Sequence, residues 1–301
     1  MSDIRLTQFK ALVFDVYATL VVSATLVFNT ISQCSPFKSP QNWETGIYEG
    51  LKPMLQRVGS TLANSKKDTL LAFESVEIDL QTKYPTMLYC DILAHTHAEL
   101  SRRLMGKPSV PDPNPSSTTV GDTEHLAHAG ASGTDKSSIV GLTEEDIAFG
   151  KSIPKWPVFP DTIAALTTLS KYFKLAVLSN VDQTSFADTR AILERSDPDN
   201  QFAFDAVYTA QDIGSYKPNP ANFKYALAKL DEQFGIKQEE VLIVAASLTH
   251  DHAPANQLGL RSVYIAREGA IMSQSTLAKY NWRFATLGEM AEAVKKENEK
   301  N

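Results

Sequence analysis

Ala11-Leu12-Val13-Phe14 is an apolar run that delivers one carboxylate, Asp15, to its C-terminal end, and Val16-Tyr17-Ala18-Thr19-Leu20 follows as a turn of small and hydroxyl residues. An uninterrupted run of this kind reads as a strand buried on both faces, and in open α/β sheets ligands bind beyond the carboxyl ends of such strands. A carboxylate in that place is a candidate nucleophile. Unlike a serine or lysine, an aspartate with a reference pKa of about 3.9 is ionised at neutral pH without an activating base. It needs a positioning donor and a charge partner, and the Thr19 hydroxyl is a candidate for the first.

Three later segments bring further polar groups in chain order: Leu178-Ser179-Asn180, Lys217-Pro218, and Ser247 to Asp251. With Asp15 to Thr19 they resemble the four motifs of the haloacid dehalogenase superfamily, each at the end of a predicted strand. Tyr17 and the stretch Ser215-Tyr216-Lys217-Pro218-Asn219-Pro220 are most similar to the 2-haloacid dehalogenase (type II) branch. The resemblance covers nearly the whole chain apart from two segments described below. It implies a metal-independent hydrolase in which Asp15 displaces halide from carbon and water then cleaves the aspartyl ester. Lys217 would be the charge partner of Asp15, and Asp251 would orient or deprotonate the water. Ser179 and Asn180 would supply donors for the leaving anion or the substrate carboxylate, and His250, beside Asp251, a proton relay.

Tyr17 separates two reactions. Phosphatases of the superfamily carry a second Asp there as general acid, and a phenol with a reference pKa of about 10 is poorly matched to that task at neutral pH. Halide leaves as an anion and needs no proton, so Tyr17 favours displacement at carbon and packing beneath a cap. The rival reading is a Mg²⁺-dependent phosphatase with Asp15, the Tyr17 carbonyl and Asp251 as ligands. A second rival is a non-catalytic binding protein on the same fold. Departures from the dehalogenase pattern are Phe223 where a Tyr is usual, and Ala246 and Leu248 where a Ser and an Asn are usual. The Arg that meets the substrate carboxylate is replaced by Glu74, leaving Arg57, Arg102 and Arg103 as substitutes. His250 and His252 fall on opposite sides of Asp251 if the chain there is extended, and His95 and His97 read as packed or solvated histidines rather than zinc ligands.

The elements that must position these residues change character along the chain. Ile47, Leu51, Met54, Leu55 and Val58 share one helical face behind Asn42-Trp43-Glu44, which offers a cap and an acidic first turn. Leu70 to Leu80 and Met87 to Leu104 continue as amphipathic helices. From Pro160 strands at 175–178, 206–208, 241–244 and 262–265 alternate with helices such as 161–172 and 221–234. The pattern predicts an α/β protein: a Rossmann-like, doubly wound parallel sheet core with an inserted helical cap domain. The core is expected at residues 1–20 and 156–301 and the cap at 21–155, closing over the site to exclude water.

Two segments stand apart. Residues 106–141 are rich in Pro, Ser, Thr, Gly and Asp and read as a low-complexity loop. Residues 22–41 interrupt the family pattern, which removing them restores by joining Leu20-Val21 to Asn42-Trp43. Val22-Ser23 can be encoded by GTAAGT and Gln41 by CAG, the two ends of a spliceosomal intron, and the 20 codons keep the frame. The segment reads as a retained intron; a genuine loop is the alternative.

Composition narrows the remaining classes. At 301 residues with 43% apolar side chains the chain can bury a sizeable core, and a net charge of −6 without a basic run argues against nucleic acid. Two cysteines, Cys34 and Cys90, are too few for a disulfide framework, and no apolar run is long enough to span a membrane. The expectation is a cytoplasmic enzyme for a small-molecule substrate, needing no cofactor unless the phosphatase reading holds, with a homodimer left open.

Overall fold

A computed structural model describes residues 4–21, 44–107, 141–195, 199, 201–274 and 276–300. The apolar runs form β1 (Ala11–Phe14), β2 (Lys174–Ser179), β3 (Ala206–Thr209), β4 (Val241–Ala245) and β5 (Arg261–Ile265), joined by a short β6 (Trp282–Phe284). One sheet results, in the order β3-β2-β1-β4-β5-β6, with each neighbouring pair parallel. β1 lies in the middle: Ala11 is level with Lys174 and Val241, and Phe14 with Val177 and Val244.

Helices fill the crossovers. Between β1 and β2 the chain runs through α1 (Glu44–Arg57), α2 (Lys66–Lys83), α3 (Tyr89–Leu104) and α4 (Glu144–Gly150), the inserted helical cap, before α5 (Thr162–Leu169) returns to the sheet. After β2 comes α6 (Gln183–Arg195), after β3 α7 (Ala210–Ile213) and α8 (Pro220–Phe234), and after β4 a π-helical turn, Leu248–His252, leading into α9 (Ala253–Gln257). The last helix is α10 (Leu287–Glu299).

Strand alternation explains why continuous apolar runs are needed. Leu12 and Phe14 join an apolar cluster with Leu166 and Leu169 of α5 and Met290 and Val294 of α10, whereas Ala11 and Val13 join another with Phe223, Ala226 and Leu230 of α8. Both faces of the sheet are therefore dry, and every residue of β1 and β4 is buried. The chain turns to opposite sides of the sheet at β1 and β4, and the crevice beyond their carboxyl ends is the natural ligand position in such a fold.

In the cap, the face expected for α1 is buried at Ile47, Leu51, Met54 and Leu55. α4 lies so close to α3 that a Cβ on Gly150 would stand 2.2 Å from the Cys90 carbonyl oxygen, so this crossing accepts only glycine. β6 and α10 have no counterpart among the elements expected from sequence. β6 is three partly exposed residues, too short to show a period, while α10 carries Leu287, Met290, Ala291 and Val294 at helical spacing among charged residues. The Asn42 cap, Cys34, segment 22–41 and nearly all of segment 106–141 lie outside the described residues. No described helix is long and apolar enough to cross a membrane.

Candidate active site

β1 ends in Asp15, and the loop after it folds back through hydrogen bonds from Thr19, Leu20 and Val21 amides to the Val16 carbonyl. Ala18 sits in the left-handed region at φ 81°, a strained choice for a residue with a Cβ, directly beside the carboxylate. The Thr19 hydroxyl donates to Asp15 Oδ2 at 2.8 Å while accepting the Ala246 amide at 2.9 Å, so one side chain joins the ends of β1 and β4. From outside, Arg267 donates to the Thr19 carbonyl at 2.8 and 3.2 Å, pairs with Asp161 at 2.7 Å and stacks on Phe159. No motif in the sequence pointed to Arg267.

Lys217 arrives from the loop before α8 and is buried in spite of its charge. Its ammonium donates to Asp15 Oδ1 at 2.8 Å, Asp251 Oδ1 at 2.8 Å and the Leu178 carbonyl at 2.9 Å, which engages all three of its N–H bonds. Burial pulls its pKa down, but the two carboxylates outweigh that and hold it above the ordinary lysine value. Asn180 holds the lysine's backbone: its amide donates to the Lys217 carbonyl at 2.9 Å and accepts the Lys217 N–H at 2.6 Å. The amide thus fixes the lysine loop, while Asn180 also lines the cavity. Ser179 differs. Its Oγ is buried at the cavity without a hydrogen-bond partner.

Asp251 stands on the π-helical turn, and this corrects the extended chain expected for 247–252. The Ser247 hydroxyl accepts the His250 amide and starts the turn, a local bond that alternating-residue logic does not anticipate. The two histidines still diverge. His252 is buried against Ser262 Oγ at 2.8 Å and the Ala245 carbonyl at 3.1 Å, away from the cavity, whereas His250 lines it with Nδ1 3.2 Å from Ser273 Oγ. Burial, with the nearby Lys217 charge, lowers the His250 pKa to about 4, so its imidazole is neutral at physiological pH. The Asp251 carboxyl is pushed up to about 7 by burial and by Asp15, against the pull of Lys217, and its Oδ2 has no partner.

Tyr17 packs edge-on against Trp156 at 5.4 Å, and its hydroxyl is 2.9 Å from Thr189 Oγ1 on α6. Burial drives its pKa upward, away from the range of a general acid. Phe223 is buried among Val13, Leu178 and Ile243 and does not line the cavity, and a phenol reaches it from the cap instead, at Tyr89.

Together these groups enclose a cavity of about 80 Å³, room for a molecule of few atoms. Its cap side is Ile47, Glu77, Gln81 and Tyr89, with Met272, Ser273 and Gln274 from the loop after β5. None of the three arginines considered as carboxylate ligands reaches it: Arg57 pairs with Glu145, Arg103 with Glu99 and Asp79, and Arg102 lines a separate surface pocket. Glu74 is outside the cavity too. It accepts the Ser273 N–H at 2.6 Å and hydroxyl at 3.0 Å, while Glu44 of α1 accepts the adjacent Ile271 and Met272 amides. Sequence reasoning missed Glu77, Gln81 and Tyr89 because their helical spacing reads as ordinary amphipathic surface.

A parallel sheet with a helical cap over an Asp–Lys–Asp centre defines a class of hydrolase. A family model described as haloacid dehalogenase-like hydrolase matches residues 9–259, and the chain belongs to that family. No curated protein matches it. Among solved structures, the L-2-haloacid dehalogenase from Xanthobacter autotrophicus with chloropropionic acid covalently bound is 16% identical, covering 95% of this chain and 98% of its own, with a TM-score of 0.58. The HAD-hydrolase YfnB from Bacillus subtilis, bound to magnesium, is 12% identical over 95% of this chain and 99% of its own, with a TM-score of 0.57. A HAD phosphatase from Thermococcus onnurineus is 19% identical over 95% and 97%, with a TM-score of 0.50. At such identities the likeness is one of fold.

Proposed function

We propose that this hydrolase cleaves a carbon–halide bond of a small molecule through an ester on Asp15, without a metal. The observation that carries the reading is the Lys217 ammonium held at 2.8 Å from both Asp15 and Asp251, together with a phenol at position 17 tied to Thr189. One Asp15 oxygen attacks the saturated carbon, the C–X bond breaks with its electron pair, and the Ser179 hydroxyl, buried without a partner, donates to the departing anion. Water then adds to the ester carbonyl, giving a proton to Asp251, whose free Oδ2 and pKa of about 7 suit a general base. The alkoxide leaves with a proton and Asp15 is regenerated. Chloropropionic acid covalently bound to the Xanthobacter enzyme supports a covalent route.

The oxygens available to a divalent cation are Asp15, the Tyr17 carbonyl and Asp251, and Asp251 Oδ2 is free to take one. Among the described residues no cluster of three or more acidic, His or Cys side chains has the geometry of a metal site. Lys217 bridges Asp15 and Asp251, so even with both ionised the pair keeps a single net negative charge, a poor match to a hard cation that favours several carboxylates. The donor set therefore fits Mg²⁺ badly.

Single turnover in ¹⁸O-water tests the mechanism. The product should carry unlabelled oxygen from Asp15, the label should stay in the Asp15 carboxylate, and EDTA should not slow the reaction. Asp15→Asn should abolish turnover, and Asp251→Asn should let the ester accumulate as a mass increase on the Asp15 peptide. Activity lost with EDTA and restored by Mg²⁺, or faster cleavage of phosphate monoesters, would replace this reading with the phosphatase one.

A further inference from the structure

The cap side of the cavity is acidic where a haloacid enzyme needs a cation. Glu77 is buried at the cavity, with Tyr89 Oη donating to its Oε1 at 2.7 Å. Gln81, one turn further along α2, also lines the cavity. Opposite them are Asp15 and Asp251, the Lys217 ammonium with every N–H engaged, and His250, kept neutral. Among the described residues no cation with a free N–H lines the cavity to pair with a carboxylate, and desolvating a second anion against three carboxyl groups is unfavourable. A hydroxyl or ammonium on the substrate reverses the balance. It donates to Glu77 and Gln81, and an ammonium would draw Glu77 toward its ionised form from a pKa that burial has raised to about 7.

We propose that Glu77, supported by Tyr89 and Gln81, selects substrates that present a hydrogen-bond donor, an alcohol or an amine, where a haloacid presents its carboxylate. The inference deepens the proposed function and rests on its placing the scissile bond at Asp15. Ligand binding separates the two, because it reads the cavity wall whether or not the reaction occurs. In the Asp15→Asn protein at neutral pH, calorimetry should find 1-aminopropan-2-ol or propane-1,2-diol bound at least about tenfold more tightly than lactate, their carboxylate counterpart. Adding Glu77→Gln, which keeps the size and the Tyr89 contact, should cut that preference to about threefold or less. Lactate bound equally or better, no binding by any of the three, or a preference indifferent to Glu77→Gln overturns the proposal. In the unmodified enzyme, chloride release should be faster from 2-chloropropan-1-ol than from 2-chloropropionate. Release from neither, with the binding preference intact, would refute the Asp15 reaction and leave the selectivity standing.

Discussion

At the scale of single residues, the centre is an arrangement of charges that are tolerable only together. Two carboxylates buried beside each other repel, and a lysine buried alone loses its proton; placed 2.8 Å apart they hold each other ionised to the extent that burial allows. Removing one member leaves the others uncompensated. Lys217→Ala should therefore lower turnover by several orders of magnitude and also destabilise the fold by roughly 3–5 kcal/mol, the usual cost of leaving a buried charge unpaired. Denaturant titration alongside kinetics checks both. A variant of ordinary stability and near-normal rate would show that the lysine is not the charge partner.

At the scale of elements, the cap is fastened by acceptors that catch backbone amides. Glu44 of α1 and Glu74 of α2 hold three consecutive N–H groups, Ile271 to Ser273, in a loop whose Ser273 stands at φ 59°, and Asp182 accepts the Cys90 amide at the start of α3. The loop they hold contributes Met272, Ser273 and Gln274 to the cavity, so cap position and cavity shape are coupled. Glu44→Ala and Glu74→Ala together should speed hydrogen exchange at the 271–273 amides by about tenfold or more, by freeing donors that the carboxylates now protect. Unchanged exchange there would mean that the loop stands without the cap. The pair should also raise KM, since an open cap admits water and positions substrate poorly.

At the scale of the whole molecule, burial of acids sets the pH dependence of stability. Glu44, Glu77 and Asp251 are each pushed up to about 7, with burial the largest cause in all three. An acid whose folded pKa lies above its unfolded value binds its proton more tightly when folded. Its contribution is complete below the unfolded value, about 4, and is lost as pH rises through about 7. Asp146 and Asp161 move the other way, their burial being outweighed by His97 and Thr143 and by Arg267 respectively, but their effect is confined to acid pH. His250 and His252, each lowered to about 4 by burial, oppose the trend up to their unfolded value of about 6.5, so the unfolding midpoint should fall most clearly from about pH 6.5 to pH 8, a trend that urea denaturation at a series of pH values would reveal. Glu77→Gln and Glu44→Gln should flatten it.

The amino-acid sequence determined the sheet and the order in which it presents its chemistry. Short continuous apolar runs bounded by turn residues read as strands covered on both sides, and a residue just past such a run is carried to the carboxyl edge, which is why Asp15 and Ser179 could be placed before any geometry was known, whereas the helical turn that carries Asp251 was not legible. Lys217 was legible through its motif, and the structure supplied its three partners. What only the tertiary structure decided is the opposite wall. Glu77 and Gln81 sit on a helix whose sequence does not distinguish a cavity-facing turn from a solvated one, and Tyr89 is brought to them from the next helix. Asn180 and Tyr17 show a related limit: each lines the cavity, but each also engages a polar group with a partner far along the chain, Lys217 and Thr189, that the sequence does not reveal. A side chain's chemistry is fixed by its type, but whether that chemistry meets a ligand or another part of the protein depends on contacts between elements distant in sequence, which local spacing does not encode.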